Sequence, residues 1–242
     1  MKTINWYVTI FTLMLCSIFF SCGDDNEDSL SEETSTELDN ESQAIINKYK
    51  DTRSLIGEWE YAGYGKSDFR FASDGRCFMR GSMSGDFYTE GVWNYDTESR
   101  LLSTTCGSWA WTVNLLTERE WSGISPGGNA FSYKRRYNWN DPNDELLVGK
   151  WVNEEQNAIV IFYADQRYKF SIDNTVFNGT YEVTTIPVVD SQCDYRRVID
   201  LVGDLYGKMY VGGLDGYMLN ISSCIQGAIQ FEMDYIYSDF LD

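Results

Sequence analysis

The feature that most constrains this chain is that it repeats itself. Leu55-Ile56-Gly57-Glu58-Trp59 returns 92 residues on (59 to 151) as Leu147-Val148-Gly149-Lys150-Trp151. Phe71-Ala72-Ser73-Asp74-Gly75-Arg76-Cys77 returns 91 residues on (71 to 162) as Phe162-Tyr163-Ala164-Asp165-Gln166-Arg167-Tyr168. Gly91-Val92-Trp93 returns as Gly179-Thr180-Tyr181. Three blocks in one order at near-constant spacing read as a duplication. Two similar units then each need a core, which predicts domains at residues 46–140 and 144–242.

Each block has a structural meaning. Gly-x-Trp at the head of a strand lets the backbone turn tightly while the indole plugs one end of a barrel or sandwich, which assigns Gly57, Trp59, Gly149 and Trp151 as structural. The Phe-x-x-Asp-Gly-Arg and Phe-x-x-Asp-Gln-Arg blocks place a turn between two strands. Gly91-Val92-Trp93-Asn94-Tyr95 alternates like a half-buried strand, and Ala158-Ile159-Val160-Ile161-Phe162 runs apolar like one buried on both faces. Further strands are predicted at residues 109–113, 131–135, 208–211 and 229–233. Only Ser42 to Tyr49 reads as helix. Aromatic residues make up 16% of the chain, with 20 Gly and 3 Pro, which favours strands and turns over helices. The expected fold is all-β: two tandem small antiparallel meander barrels or sandwiches.

Gly57-Glu58-Trp59 and Gly149-Lys150-Trp151, each heading a meander, resemble the lipocalin-like domains of exported bacterial lipoproteins. The resemblance covers roughly residues 55 to 237. It implies a small barrel or sandwich able to hold an apolar ligand. A barrel of this size can equally be filled by its own side chains.

The N-terminus carries a second signal. Lys2 is followed by an apolar stretch from Ile4 to Phe20, the length of a secretory core and short for a membrane span of about 20 residues. Phe19-Phe20-Ser21-Cys22-Gly23 resembles the lipobox of bacterial lipoprotein precursors, with Phe19 where the family prefers Leu. The alternative is an uncleaved helical anchor. The resemblance implies removal of residues 1–21 and acylation of Cys22, and several acyl chains anchor far more stably than one. Residues 22–45 form the expected tether, because acidic residues from Asp24 to Glu41 are uninterrupted by any basic one and such a segment repels itself. Asp24-Asp25 resembles the acidic surface-export signals of some diderm bacteria. The expected location is the cell envelope, as an outer-membrane lipoprotein, with exposure on the outer surface left open.

Charge and composition narrow the function. The formal charge is −18, which argues against nucleic acid and against a polybasic membrane site. The chain has no histidine, the commonest general base and metal ligand. Serine–histidine triads and histidine zinc sites are thereby excluded. Acidic pairs such as Glu118/Glu120 and Glu154/Glu155 read as solvated surface, because glycosidase chemistry needs two carboxylates across a cleft. The oxygen-rich run from Asn138 to Glu145 does not match a calcium loop and reads as a polar linker. No enzyme, metal or cofactor is expected.

Four cysteines follow the lipobox: Cys77 and Cys106 in the first repeat, Cys193 and Cys224 in the second. One bridge per domain is the simplest pairing in an exported protein, with buried free thiols as the alternative. Trp109, Trp111, Trp121 and Tyr133 are the candidate ligand or partner face. Strand alternation puts Trp109 and Trp111 on one side. Core packing is the competing role for all four. The function expected is a non-enzymatic, membrane-tethered lipoprotein that binds a small apolar ligand. The alternatives are a surface module recognising glycan or protein through exposed aromatics, and a structural subunit of an envelope complex.

Overall fold

The computed structural model describes residues 38–63, 67–81, 86–87, 89–137, 139–173, 175–187, 195–225 and 229–237, without the side chains of 185–196 and 223–235. The signal segment, Cys22, the tether up to residue 37 and Cys193 lie outside the described residues, as does the side chain of Cys224.

Two closed eight-stranded antiparallel barrels follow one another along the chain. The first is built from β1 (Gly57–Tyr61), β2 (Asp68–Phe71), β3 (Arg76–Arg80), β4 (Thr89–Asp96), β5 (Leu101–Thr104), β6 (Trp109–Leu116), β7 (Glu120–Ile124) and β8 (Ala130–Arg136). The second is built from β9 (Gly149–Asn153), β10 (Ala158–Phe162), β11 (Arg167–Ile172), β12 (Thr175–Pro187), β13 (Tyr195–Gly203), β14 (Gly207–Leu214), β15 (Met218–Ile225) and β16 (Ile229–Tyr237). In each, strands pair with their sequence neighbours and the last closes on the first, β8 on β1 and β16 on β9. Each barrel is complete, and closure leaves neither with a free edge.

The helix α1 (Asn40–Tyr49) starts earlier than the sequence suggested. Asp39 caps it by accepting from the Ser42 backbone N–H at 2.8 Å, so residues 40–45 are its first turns rather than tether. Ser42, Ile46 and Tyr49 are buried. The helix packs on the second barrel although it precedes the first: the Ala164 N–H donates to the Ser42 hydroxyl at 2.8 Å, and Arg167 pairs with Asp39 at 3.1 Å.

The repeat is the same construction used twice. A short 3-10 turn, Arg53–Leu55 or Asp144–Leu147, leads into the first strand of each barrel. The Trp59 indole N–H donates to the Leu55 carbonyl at 2.7 Å and the Trp151 indole N–H to the Leu147 carbonyl at 2.8 Å. Both rings are fully buried. Gly57 (φ +151°) and Gly149 (φ +133°) sit where a side chain would be strained, and a Cβ there would meet Arg135 at 2.3 Å or Tyr237 at 2.6 Å. The second block is one hairpin twice: the Gly75 N–H reaches the Ala72 carbonyl and the Gln166 N–H the Tyr163 carbonyl, both at 3.1 Å. The third block closes it, with the Trp93 indole donating to the Ala72 carbonyl at 2.8 Å and the Tyr181 hydroxyl to the Tyr163 carbonyl at 2.9 Å.

Residues 38–242 form one compact unit, and the plugged ends of the barrels meet within it. The Gly216 N–H of the β14–β15 turn donates to the Ile56 carbonyl at 3.1 Å. Arg135 of β8 pairs with Asp215 at 3.2 Å, both almost wholly buried. Arg53, ahead of the first barrel, donates to the carbonyls of Gly216 (3.0 Å) and Leu146 (2.8 Å) and lies 3.6 Å from the centre of the Tyr237 ring. In the linker, Asp141 accepts from the backbone N–H and the hydroxyl of Ser73, each at 2.8 Å, and burial pushes its carboxyl pKa above the ordinary range.

Candidate functional site

The interior of the first barrel is a column of aromatic rings. β7 contributes Trp121 near the plugged end, and Tyr133 of β8 stacks on it at 4.4 Å and 14°. Trp111 of β6 stands edge-on to Trp121 at 5.4 Å, to Phe69 at 5.3 Å and to Phe131 at 6.1 Å. Two residues earlier on the same strand, Trp109 lies parallel to Trp111 within 2°, ring centres 5.9 Å apart. That is the side-chain period of a strand carried into ring packing. Tyr61, at the end of β1, closes edge-on against Phe131 and Tyr133 at 6.2 and 5.5 Å. Tyr61 and Trp109 are partly exposed, and both stand at strand ends opposite the Trp59 plug.

Sequence reasoning grouped Trp109, Trp111, Trp121 and Tyr133, and the structure does bring them together. As an exposed platform, however, the group is corrected: Trp111 and Trp121 are 0% exposed and Tyr133 1%, so only Trp109 reaches the surface. The reason is that all four side chains point into a barrel small enough for large rings to span. Phe131, Phe69 and Tyr61 belong to the same column and went unassigned. The alternation in Phe131-Ser132-Tyr133 was the signal that placed Phe131 beside Tyr133.

Polar groups in this column are unevenly served. The Trp59 and Trp93 indoles each reach a backbone carbonyl, whereas the Trp111 and Trp121 N–H groups have no hydrogen-bond partner among the described residues. A buried donor left unmade costs about 1–3 kcal/mol, so two in adjoining rings call for an explanation. Burial holds the Tyr133 phenol well above its ordinary pKa and keeps it neutral.

Cys77 and Cys106 are buried free thiols, so the expected bridge between them is replaced by hydrogen bonds. The Cys106 thiol donates to the Cys77 carbonyl at 3.0 Å, and the Cys77 sulfur lies 2.8 Å from the Thr104 hydroxyl. Burial, with the contact to Cys77, pushes the Cys106 pKa up to about 12, which leaves essentially no thiolate at neutral pH. The Cys193–Cys224 pairing lies outside the described residues.

The second barrel offers a different surface. A shallow groove of about 400 Å³ runs over its wall beside Tyr163, Arg167, Lys169, Asn178, Thr180 and Asp204. Arg167 is held there by Asp165 and Asp39, which offset its charge. Among the described residues no group of three or more acidic or thiol side chains is placed to hold a metal ion. No family model and no curated protein matches the chain.

Proposed function

We propose that this chain is a non-enzymatic lipoprotein of the cell envelope, tethered through a lipid on Cys22, whose first barrel receives a small apolar ligand at the end opposite the Trp59 plug. The observation that carries this reading is the ring column, which is sealed by a bonded indole at one end and finishes in the partly exposed rings of Tyr61 and Trp109 at the other. An apolar, aromatic lining with few polar groups is the usual lining of a small-molecule site. The chain has no histidine, the commonest general base. The tether reading rests on the apolar stretch from Ile4 to Phe20 and the Ser21-Cys22-Gly23 that follows.

Two measurements test it. Fatty-acid labelling in a bacterial host should mark the wild type and leave Cys22→Ala unlabelled; equal labelling of both removes the tether. Titration of the mature chain with 1-aminoanthracene should show saturable fluorescence that Trp109→Ala weakens. Unsaturable uptake, or uptake indifferent to Trp109→Ala, removes the ligand site.

A further inference from the structure

The two unpartnered indoles say more about what the first barrel takes. Trp111 and Trp121 are both 0% exposed, sit edge to face 5.4 Å apart, and carry the column's two unanswered N–H donors. The protein shows elsewhere that it can serve such groups: the Trp59, Trp93 and Trp151 indoles each donate to a backbone carbonyl, and the Tyr168 and Tyr181 hydroxyls donate to the carbonyls of Leu205 and Tyr163. Among the indoles of the described residues the two left unserved are in adjoining rings, on the column that leads to the partly exposed Trp109.

We propose that Trp111 and Trp121 form a hydrogen-bonding floor for a small, largely apolar molecule that carries an oxygen acceptor and no donor, such as an aryl ketone or an ester. The inference rests on the reading of the first barrel as a ligand site. A carbonyl oxygen has two lone pairs and accepts both N–H groups at once. The surrounding rings, Phe69, Phe131 and Tyr133, suit the apolar remainder. A water molecule fits less well, since buried waters make about three hydrogen bonds and need acceptors for their own hydrogens. Apart from the Tyr133 hydroxyl, the rings touching Trp111 and Trp121 carry no in-plane acceptor: Phe69 and Phe131 have no polar atom and the Trp109 indole is a donor only.

The test compares acetophenone with α-methylstyrene, which has the same shape with the carbonyl oxygen replaced by a methylene. The mature chain, labelled with ¹⁵N-tryptophan, is titrated with each while its indole N–H resonances are followed. Acetophenone should bind about tenfold tighter or more and move the Trp111 and Trp121 resonances downfield, as new hydrogen bonds do. Trp111→Phe and Trp121→Phe should each weaken acetophenone several-fold and leave α-methylstyrene unchanged. The wild-type shifts stand alone should either variant fail to fold. Equal affinity for the two probes overturns the acceptor site while keeping the barrel as an apolar pocket. Binding of neither probe at millimolar concentration overturns the ligand reading itself, and the acceptor site with it.

Discussion

The two barrels share a plan and differ in how their plugs are held. In the first, Trp59 of β1 stands opposite Arg135 of β8, whose guanidinium lies 4.3 Å from the centre of the indole ring. In the second, the register-equivalent pair is Trp151 opposite Tyr237, edge to face at 5.4 Å. The missing cation is supplied from outside the barrel, by Arg53 over the Tyr237 ring. The first barrel borrows in return, since the acid that neutralises Arg135 is Asp215 from the second barrel. A duplicated unit has thus become mutually dependent: each plug is finished by a residue belonging to the other half of the chain. This argues that the two barrels melt as one, against the independence that a simple tandem repeat suggests.

Arg135→Met is expected to break this arrangement most severely. It leaves the Asp215 carboxylate buried without its cation and costs about 3–5 kcal/mol. Trp59→Ala and Trp151→Ala should each cost a similar 3–5 kcal/mol through loss of a filled volume. Calorimetry should show one unfolding transition for the wild type and for all three variants, shifted down. Two separated transitions in any variant would show that the barrels are energetically independent.

Arg53→Met tests the other direction of borrowing and should cost less. It removes the donor to the neutral Gly216 and Leu146 carbonyls and the cation over Tyr237, where Arg135→Met takes the cation from the Asp215 carboxylate. About 1–3 kcal/mol is expected in urea unfolding. A loss equal to that of Arg135→Met would mean that the two plugs are held alike and that the contrast between them is only one of sequence position.

Much of the fold was legible in the sequence because it lies in local patterns. The Gly-x-Trp and Phe-x-x-Asp blocks mark strand starts and hairpins through backbone conformation and alternation, and both depend on neighbours within a few residues. What the sequence did not show depends on partners far along the chain. Nothing local to Arg53 points to Tyr237, and nothing local to Ser42 points to Ala164; both pairings exist only once the second barrel has closed. The ring column was half legible. Alternation put Trp109 and Trp111 on one side of a strand, but whether that side faced solvent or the interior depends on barrel closure. The orphaned state of the Trp111 and Trp121 donors depends on the placement of every neighbouring acceptor, which no pattern encodes.

The smallest expected effects concern two carboxylates near the barrel junction, and their contrast lies in sign. Burial raises the Asp141 pKa, so its proton is held more tightly in the folded state than in the unfolded chain. Its contribution to stability grows as pH falls through the raised pKa and fades as pH climbs back through it. Glu145 is the opposite case. Lys48, 2.6 Å away, and then the Tyr49 hydroxyl lower its pKa, so its contribution is present above the unfolded value and lost as pH falls through the folded one. The Lys48–Glu145 pair is well exposed, at 57% and 40% of the two side chains, so solvent screening limits it to under about 1 kcal/mol. Urea midpoints measured from pH 7 down to about pH 3 should separate the two. Asp141→Asn should remove a gain in stability on acidification, and Glu145→Gln should remove a loss. Identical slopes in both variants would mean that neither carboxylate titrates differently in the folded state and in the unfolded chain.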